Sequence, residues 1–372
     1  MLPSLPTPGQ LSDAAANVFD KVARGGLADL RPTPARIIHE SPQCTVFRYL
    51  RPDDDGTVPE RPPVLLVPPL AAPALCFDLR RGHSLAGHLL AAGHPVYLVE
   101  YGPIAFSDRV LGLEHWVEDV IPTAVRHVSA DCDGAEVQVA GWCLGGIMSV
   151  LSVAGDPSLP VRSLACVASP FDFTQVRLVA PLRPIANLTN GAIITQLYRA
   201  LGGAPSPLVR RAFQLTSIDK ELTKPLVMLL RLHDRDFLAQ LEAVDRFMAS
   251  MHAYPGRTFG QLYHQFFRVN DLADGRLRLS DQDIDLADVR VPVLSVAGET
   301  DVLAPRAAVH HLGTLLPNAP EVRLETGPGG HLGVLAGRGA RTTTWRWLDE
   351  FLCAHAGADA DADTESAGSI AA

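Results

Sequence analysis

Short apolar runs, broken by Gly, Pro and Asp, recur along the first 170 residues of the chain. Val64-Leu65-Leu66-Val67 has no polar position, as a strand covered on both faces requires. Pro95–Glu100, Glu136–Ala140 and Arg162–Ala168 read as further strands, and residues 35–49 as strands ending in Cys44-Thr45-Val46-Phe47-Arg48-Tyr49-Leu50. Between them the apolar spacing becomes helical, at Ser84–Ala92 with Gly93 as its stop, and at Leu113–Val128. One helix, about Leu11–Arg24, precedes the first strand, and Arg51–Pro63 is a loop rich in Asp, Pro and Gly. Strand and helix in alternation predict an α/β fold with a mostly parallel sheet.

The alternation then stops. Residues 171–288 are helical in pattern, with polar connections and no clear strand until Val291. It resumes with a strand at Pro292–Ala297, a helix at Arg306–Leu315, a strand at Glu321–Glu325 and a helix at Thr343–Ala354. The predicted organisation is a helical segment (1–34), a sheet core in two parts (35–170 and 289–354), a helical cap inserted between them (171–288) and a tail (355–372). An insertion at this place serves as a packing layer, a substrate gate or both. The tail is rich in Ala, Asp, Gly and Ser and is expected to be disordered.

The chemistry concentrates where the third core strand ends. Residues 141–146 read Gly-Trp-Cys-Leu-Gly-Gly, the G-x-S-x-G nucleophile elbow with sulfur in place of oxygen. Gly141 and Gly145 stand where a strand turning sharply into a helix brings backbones together. Cys143 then sits at a helix N-terminus, where the helix dipole and free N–H groups favour a thiolate. A cysteine nucleophile needs a base, and the base an orienting acid. In an α/β-hydrolase fold the acid follows the nucleophile and the histidine comes last. Asp301 lies just past the Pro292–Ala297 strand and His331 just past Glu321–Glu325. Alone, Asp301 would read as a helix cap and His331 as one of thirteen histidines; the ordered triple, each member after a strand, is far more specific. The backbone N–H of Leu144 is the expected first oxyanion donor. The second is expected near Leu70-Ala71, because Pro68 and Pro69 carry no N–H.

Composition narrows the partners. The formal charge of −9, with no basic cluster interleaved with aromatics, argues against nucleic acid. Six cysteines lie far apart with no CxxC pair, which suggests neither a metal site nor a disulfide framework and points to a reduced, cytoplasmic setting. Met1–Gln10 lacks the pattern of a signal peptide, and no apolar stretch reaches the ~18 residues of a membrane span.

With these residues in view, the chain resembles the polyhydroxyalkanoate synthases, most of all the short class III and IV catalytic subunits. The resemblance spans about residues 60–352. It rests on Val67-Pro68-Pro69-Leu70, Phe77-Asp78-Leu79-Arg80, Gly93–Leu98, the Gly141–Gly146 box, Tyr263–Gly275, Val289–Leu294, Asp301–Pro305 and Gly330-His331-Leu332-Gly333. Phe247 and Tyr101-Gly102-Pro103 depart from it, standing where the family commonly carries tryptophan. The resemblance implies that Cys143 takes a 3-hydroxyacyl group from coenzyme A and that His331 deprotonates it. Asp301 would orient His331 or help activate the attacking 3-hydroxyl. It implies no metal and no cofactor beyond the CoA thioester substrate. It also implies a noncatalytic synthase subunit or a homodimer as partner, and a place at a polyester granule surface. Apolar cap stretches such as Leu226–Leu232 and Phe259–Phe267 would keep water from the acyl-enzyme. A thioesterase or esterase with the same triad is the alternative reading, and a non-catalytic granule-associated protein the third.

Overall fold

A computed structural model describes residues 7–51, 61–176, 196, 202–215 and 218–357. Residues 358–372 of the expected tail and much of 177–201 in the expected cap lie outside the described residues. The frame is an eight-stranded sheet built from β1 (Ala35–Ser41), β2 (Cys44–Tyr49), β3 (Val64–Val67), β4 (Val96–Glu100), β5 (Val137–Trp142), β6 (Val161–Val167), β11 (Val293–Gly298) and β12 (Val322–Gly327). Its spatial order is β1-β2-β4-β3-β5-β6-β11-β12. β1 and β2 form an antiparallel hairpin that joins β4 antiparallel; every other pairing is parallel. The sheet is therefore mostly parallel, as the strand–helix alternation predicts.

The continuous apolar runs follow from burial on two faces. Leu65, Val67, Tyr97, Val99, Val137 and Val139 point to one side, into a core shared with α3 (Ile121–Asp131) and α4 (Leu144–Gly155). Val64, Leu66, Val96, Leu98, Ala140 and Trp142 point to the other, under α2 (Leu85–Ala91) and the C-terminal helix Thr344–Ala354. This is the two-residue strand period read on both faces at once. Gln138 stands among these apolar positions and is matched by the C-terminal helix: its side-chain amide donates to the Leu352 carbonyl at 2.8 Å.

Between β6 and β11 the described chain is mostly helical, at Ser206–Leu215, Ile218–Leu230, Arg235–Ala249 and Gly256–Gln261. The N-terminal helix α1 (Pro8–Ala23) lies against this insertion, with Asn17 donating to the Leu232 carbonyl and Asp20 paired with Arg235. Arg80 ties the insertion to the core through Asp236 and Gln240.

Three features differ from the pattern-based expectation. A hairpin, β9 (Arg276–Leu279) with β10 (Gln282–Asp285), lies in the stretch expected to hold no strand before Val291. Leu277, Leu279 and Ile284 alternate with charged neighbours, which is the strand period, but each run is only four residues long. The expected helix 113–128 begins instead with a π-helical stretch, His115–Val120, before α3 takes over. The wider turn carries the helix past Pro122, whose missing N–H an unbroken α-helix could not accommodate at that point. Leu226, Leu229 and Leu230, expected to shield the reaction from water, are exposed and are covered by no described residue.

Candidate active site

β5 turns into α4 at Cys143, which has φ 54° and ψ −122°. A non-glycine residue there stores roughly 1–3 kcal/mol of strain, and such strain persists only where the surroundings enforce it. They do so here: the Cys143 N–H donates to the Val167 carbonyl at 2.8 Å, pinning the turn to the end of β6. The flanking glycines are required by contact. A Cβ on Gly141 would lie 2.5 Å from the Gly146 backbone, and one on Gly145 would lie 2.2 Å from the Val67 carbonyl oxygen and 2.7 Å from that of Pro68. Gly146 is different, because its Cβ would meet the Ser169 side chain, which can rotate. Gly145→Ala is therefore expected to cost about 3 kcal/mol or more, seen as a melting temperature several degrees lower, with Gly146→Ala costing much less. Equal melting temperatures for the two variants would contradict this packing.

Gly145 sits against the end of β3, and that contact brings the Pro68-Pro69-Leu70 turn beside the elbow. Tyr101 fixes the turn by donating its hydroxyl to the Pro68 carbonyl at 2.9 Å. Leu144 opens α4, so its N–H has no acceptor within the helix. Leu70, the expected second donor, is buried on this turn.

Asp301 and His331 arrive on loops after β11 and β12, which run side by side. Two backbone bonds lock these loops together: Glu299 N–H to the Gly327 carbonyl, and Thr300 N–H to that of Gly329. His331 Nδ1 meets Asp301 Oδ2 at 2.8 Å, with the Asp301 side chain wholly buried. The other carboxylate oxygen accepts from the N–H groups of Leu303 and Ala304, at 2.8 and 2.9 Å. Trp142 holds the far side, donating its indole N–H to the His331 carbonyl while its ring tilts over the imidazole at 5.1 Å.

Burial alone pushes the His331 imidazole down; the charges of Cys143 and Asp301, with the bond to Asp301, outweigh it and raise it to about 10. Nε2 makes no hydrogen bond of ordinary geometry, and the Cys143 charge is the largest influence that raises the imidazole. The raised value stabilises the fold fully below the 6.5 of a free imidazole, and that contribution is lost as pH rises from there through about 10. An NMR titration of the His331 ring is expected to give a midpoint near 10, falling by more than about one unit in Cys143→Ala, where the sulfur charge is gone. A midpoint unchanged by that substitution would separate the two residues.

The remaining cysteines are in other settings. Burial raises the thiols of Cys44 to about 11 and of Cys166 to about 12, and raises Cys76 and Cys132 as well. Cys353 is exposed on the C-terminal helix, and Cys143 alone lies part-buried at a strained turn. Among the described residues no group of three or more His, Cys, Asp or Glu could hold a metal ion, and no helix is long and apolar enough to cross a membrane.

The structure thus brings Cys143, His331 and Asp301 to one end of the sheet, beside Leu144 and Leu70. Three supports have no signal in the sequence pattern: Trp142 on the His331 carbonyl, Tyr101 on the Leu70 turn, and Tyr254, whose hydroxyl is desolvated and feels the Cys143 charge. Tyr254 belongs to a two-residue strand, β8 (Tyr254–Pro255), paired with β7 (Gly203–Ala204), and no local period announces so short an element.

The chain is similar to the poly(3-hydroxyalkanoate) polymerase subunit PhaC of Allochromatium vinosum, at 26% identity over 87% of this chain and 90% of that one. It is similar to the subunit of the same name from Thiocystis violacea, at 25% identity over the same shares. Among solved structures it matches the monoacylglycerol lipase of Paleococcus ferrophilus with a TM-score of 0.52 and 15% identity, over 80% of this chain and 96% of the lipase, a likeness of fold. No protein-family model matches the chain. The chain is accordingly similar over most of its length to the poly(3-hydroxyalkanoate) polymerases and has the α/β-hydrolase fold.

Proposed function

We propose that this protein is a cysteine acyltransferase that joins (R)-3-hydroxyacyl groups from coenzyme A into polyester, releasing CoA. The observation that carries the proposal is the part-buried Cys143 on its strained elbow, coupled to a His331 that is itself bonded to buried Asp301. The polymerase names of its homologues support the substrate class.

In this reading the Cys143 thiolate attacks the thioester carbonyl. The tetrahedral oxyanion is held by the Leu144 N–H and a second donor at Leu70, and its collapse expels CoA thiolate, which takes the proton from His331. Neutral His331 then accepts the proton of an incoming 3-hydroxyl as that oxygen attacks the Cys143 thioester. The new ester forms, the carbon–sulfur bond breaks, and the protonated imidazole again faces a thiolate. No metal or cofactor enters any step. The homologues are named as subunits, which supports a second subunit or a second copy as partner. The chemistry fits a cytoplasmic enzyme working at the surface of the growing polyester.

Intact-protein mass spectrometry with (R)-3-hydroxybutyryl-CoA tests the proposal, with CoA release followed in parallel. A ladder of hydroxyacyl units on the protein is the expected result. Steady CoA release matched by free hydroxy acid, with no ladder, would make the protein a thioesterase and overturn it.

A further inference from the structure

A cavity of about 460 Å³ opens on the insertion, lined by Ser206, Pro207, Arg210, Arg211, Ala249 and Met251. It adjoins the catalytic end of the sheet. Val209, one residue before the arginine pair, packs on Ala71 and Ala204. On the opposite wall, the residue after Met251 donates its backbone N–H, that of His252, to the Ala71 carbonyl at 2.9 Å. Ala204 in turn pairs with Tyr254, beside Cys143.

The two guanidinium groups are exposed, form no ion pair with a described residue, and share the cavity with no described carboxylate. The cavity of about 640 Å³ near Arg109 and Arg257 makes the contrast. There Arg257 is paired with Glu114 at 2.6 Å, and Arg109 lies over the Phe106 ring. No described residue pairs with Arg210 or Arg211, and two guanidinium groups lining one cavity suit phosphate oxygens, which accept two N–H bonds from each fork.

We propose that Arg210 and Arg211 bind the phosphates of the coenzyme A donor, holding the thioester over Cys143. The proposal rests on the acyl-CoA reading above and adds the subsite that recognises the nucleotide end of the substrate. The shared chemistry is a phosphate group; free phosphate is the competing source.

The test uses the full chain and reads binding apart from turnover. Desulfo-coenzyme A is titrated by calorimetry into wild type, Arg210→Ala/Arg211→Ala and Arg210→Lys/Arg211→Lys. The alanine pair is expected to weaken binding about tenfold or more, and the lysine pair to recover part of the loss. In kinetics, the loss of kcat/KM with (R)-3-hydroxybutyryl-CoA should be at least about tenfold greater than with the N-acetylcysteamine thioester, which lacks the nucleotide. Wild-type affinity in the alanine pair, or equal losses with both thioesters, would overturn the proposal. Inorganic phosphate competing as well as desulfo-coenzyme A would also overturn it, reducing the pocket to a free-phosphate site. The two readings fail separately. A protein that binds desulfo-coenzyme A through the pair but forms no ester loses the polymerase reading and keeps the subsite. One that polymerises with full efficiency in the alanine pair loses only the subsite.

Discussion

Cys143→Ala is expected to end covalent acylation and to lower CoA release from (R)-3-hydroxybutyryl-CoA by roughly 10⁴-fold or more, the cost of deleting a nucleophile that works as a unit with its base. No other sulfur can stand in. Cys76 feels the Cys143 charge, but it is fully buried and its thiol is raised well above the ordinary range. Cys353 is exposed on a different element. The cavity left by one sulfur is small and the site is part-buried, so the fold should stand and melting temperatures should stay close. Stopped-flow CoA release and intact mass read the result. Release within about tenfold of wild type would remove Cys143 from the reaction. Cys143→Ser separates the two acyl fates: an ester-hydrolysing protein would keep activity with serine, whereas transfer that depends on a thiolate would nearly cease.

The Cys143 elbow is legible in the sequence because it is a local device. Strand, glycine, nucleophile, glycine and helix are consecutive, and each glycine answers to a backbone contact within a few residues or one strand away. The order of acid and histidine is legible for a related reason, since Asp301 follows a short, fully buried apolar strand and His331 follows the half-exposed edge strand beside it. What escapes is non-local or sub-periodic. Tyr101 reaches Pro68, and Trp142 reaches the His331 carbonyl, across the sheet end from positions whose spacing carries no pattern. The β9–β10 hairpin is too short to outweigh the helical stretches around it. The π-helical start at His115 keeps helical periodicity closely enough to hide the extra residue in its turn. Phe247, which departs from the family's tryptophan, packs its ring 6.0 Å from Trp142, so an aromatic still backs the indole that holds His331.

Asp301→Asn is expected to be the second most damaging change, with a loss of about 10⁴-fold in the first acylation. The reason lies in which oxygen does what. Oδ1 accepts from two backbone N–H groups, of Leu303 and Ala304, while Oδ2 faces His331 Nδ1. An asparagine must place its carbonyl oxygen where the two N–H donors point, because an NH₂ group there would leave them buried without an acceptor. Its NH₂ then faces Nδ1 and forces that nitrogen to accept, which moves the imidazole proton to Nε2. A histidine in that tautomer cannot take a proton from Cys143, and no carboxylate remains to stabilise the imidazolium. The same geometry bears on the two roles open to Asp301. Both oxygens are engaged and the side chain is wholly buried, which favours a positioning role toward His331 over direct activation of a substrate hydroxyl. The step at which the variant fails is the readout. Positioning of His331 predicts no burst of CoA from Asp301→Asn under single-turnover conditions and loss of the raised His331 titration. Activation of the 3-hydroxyl would instead leave one full equivalent of CoA per protein and stop the reaction there, with one hydroxyacyl unit on Cys143.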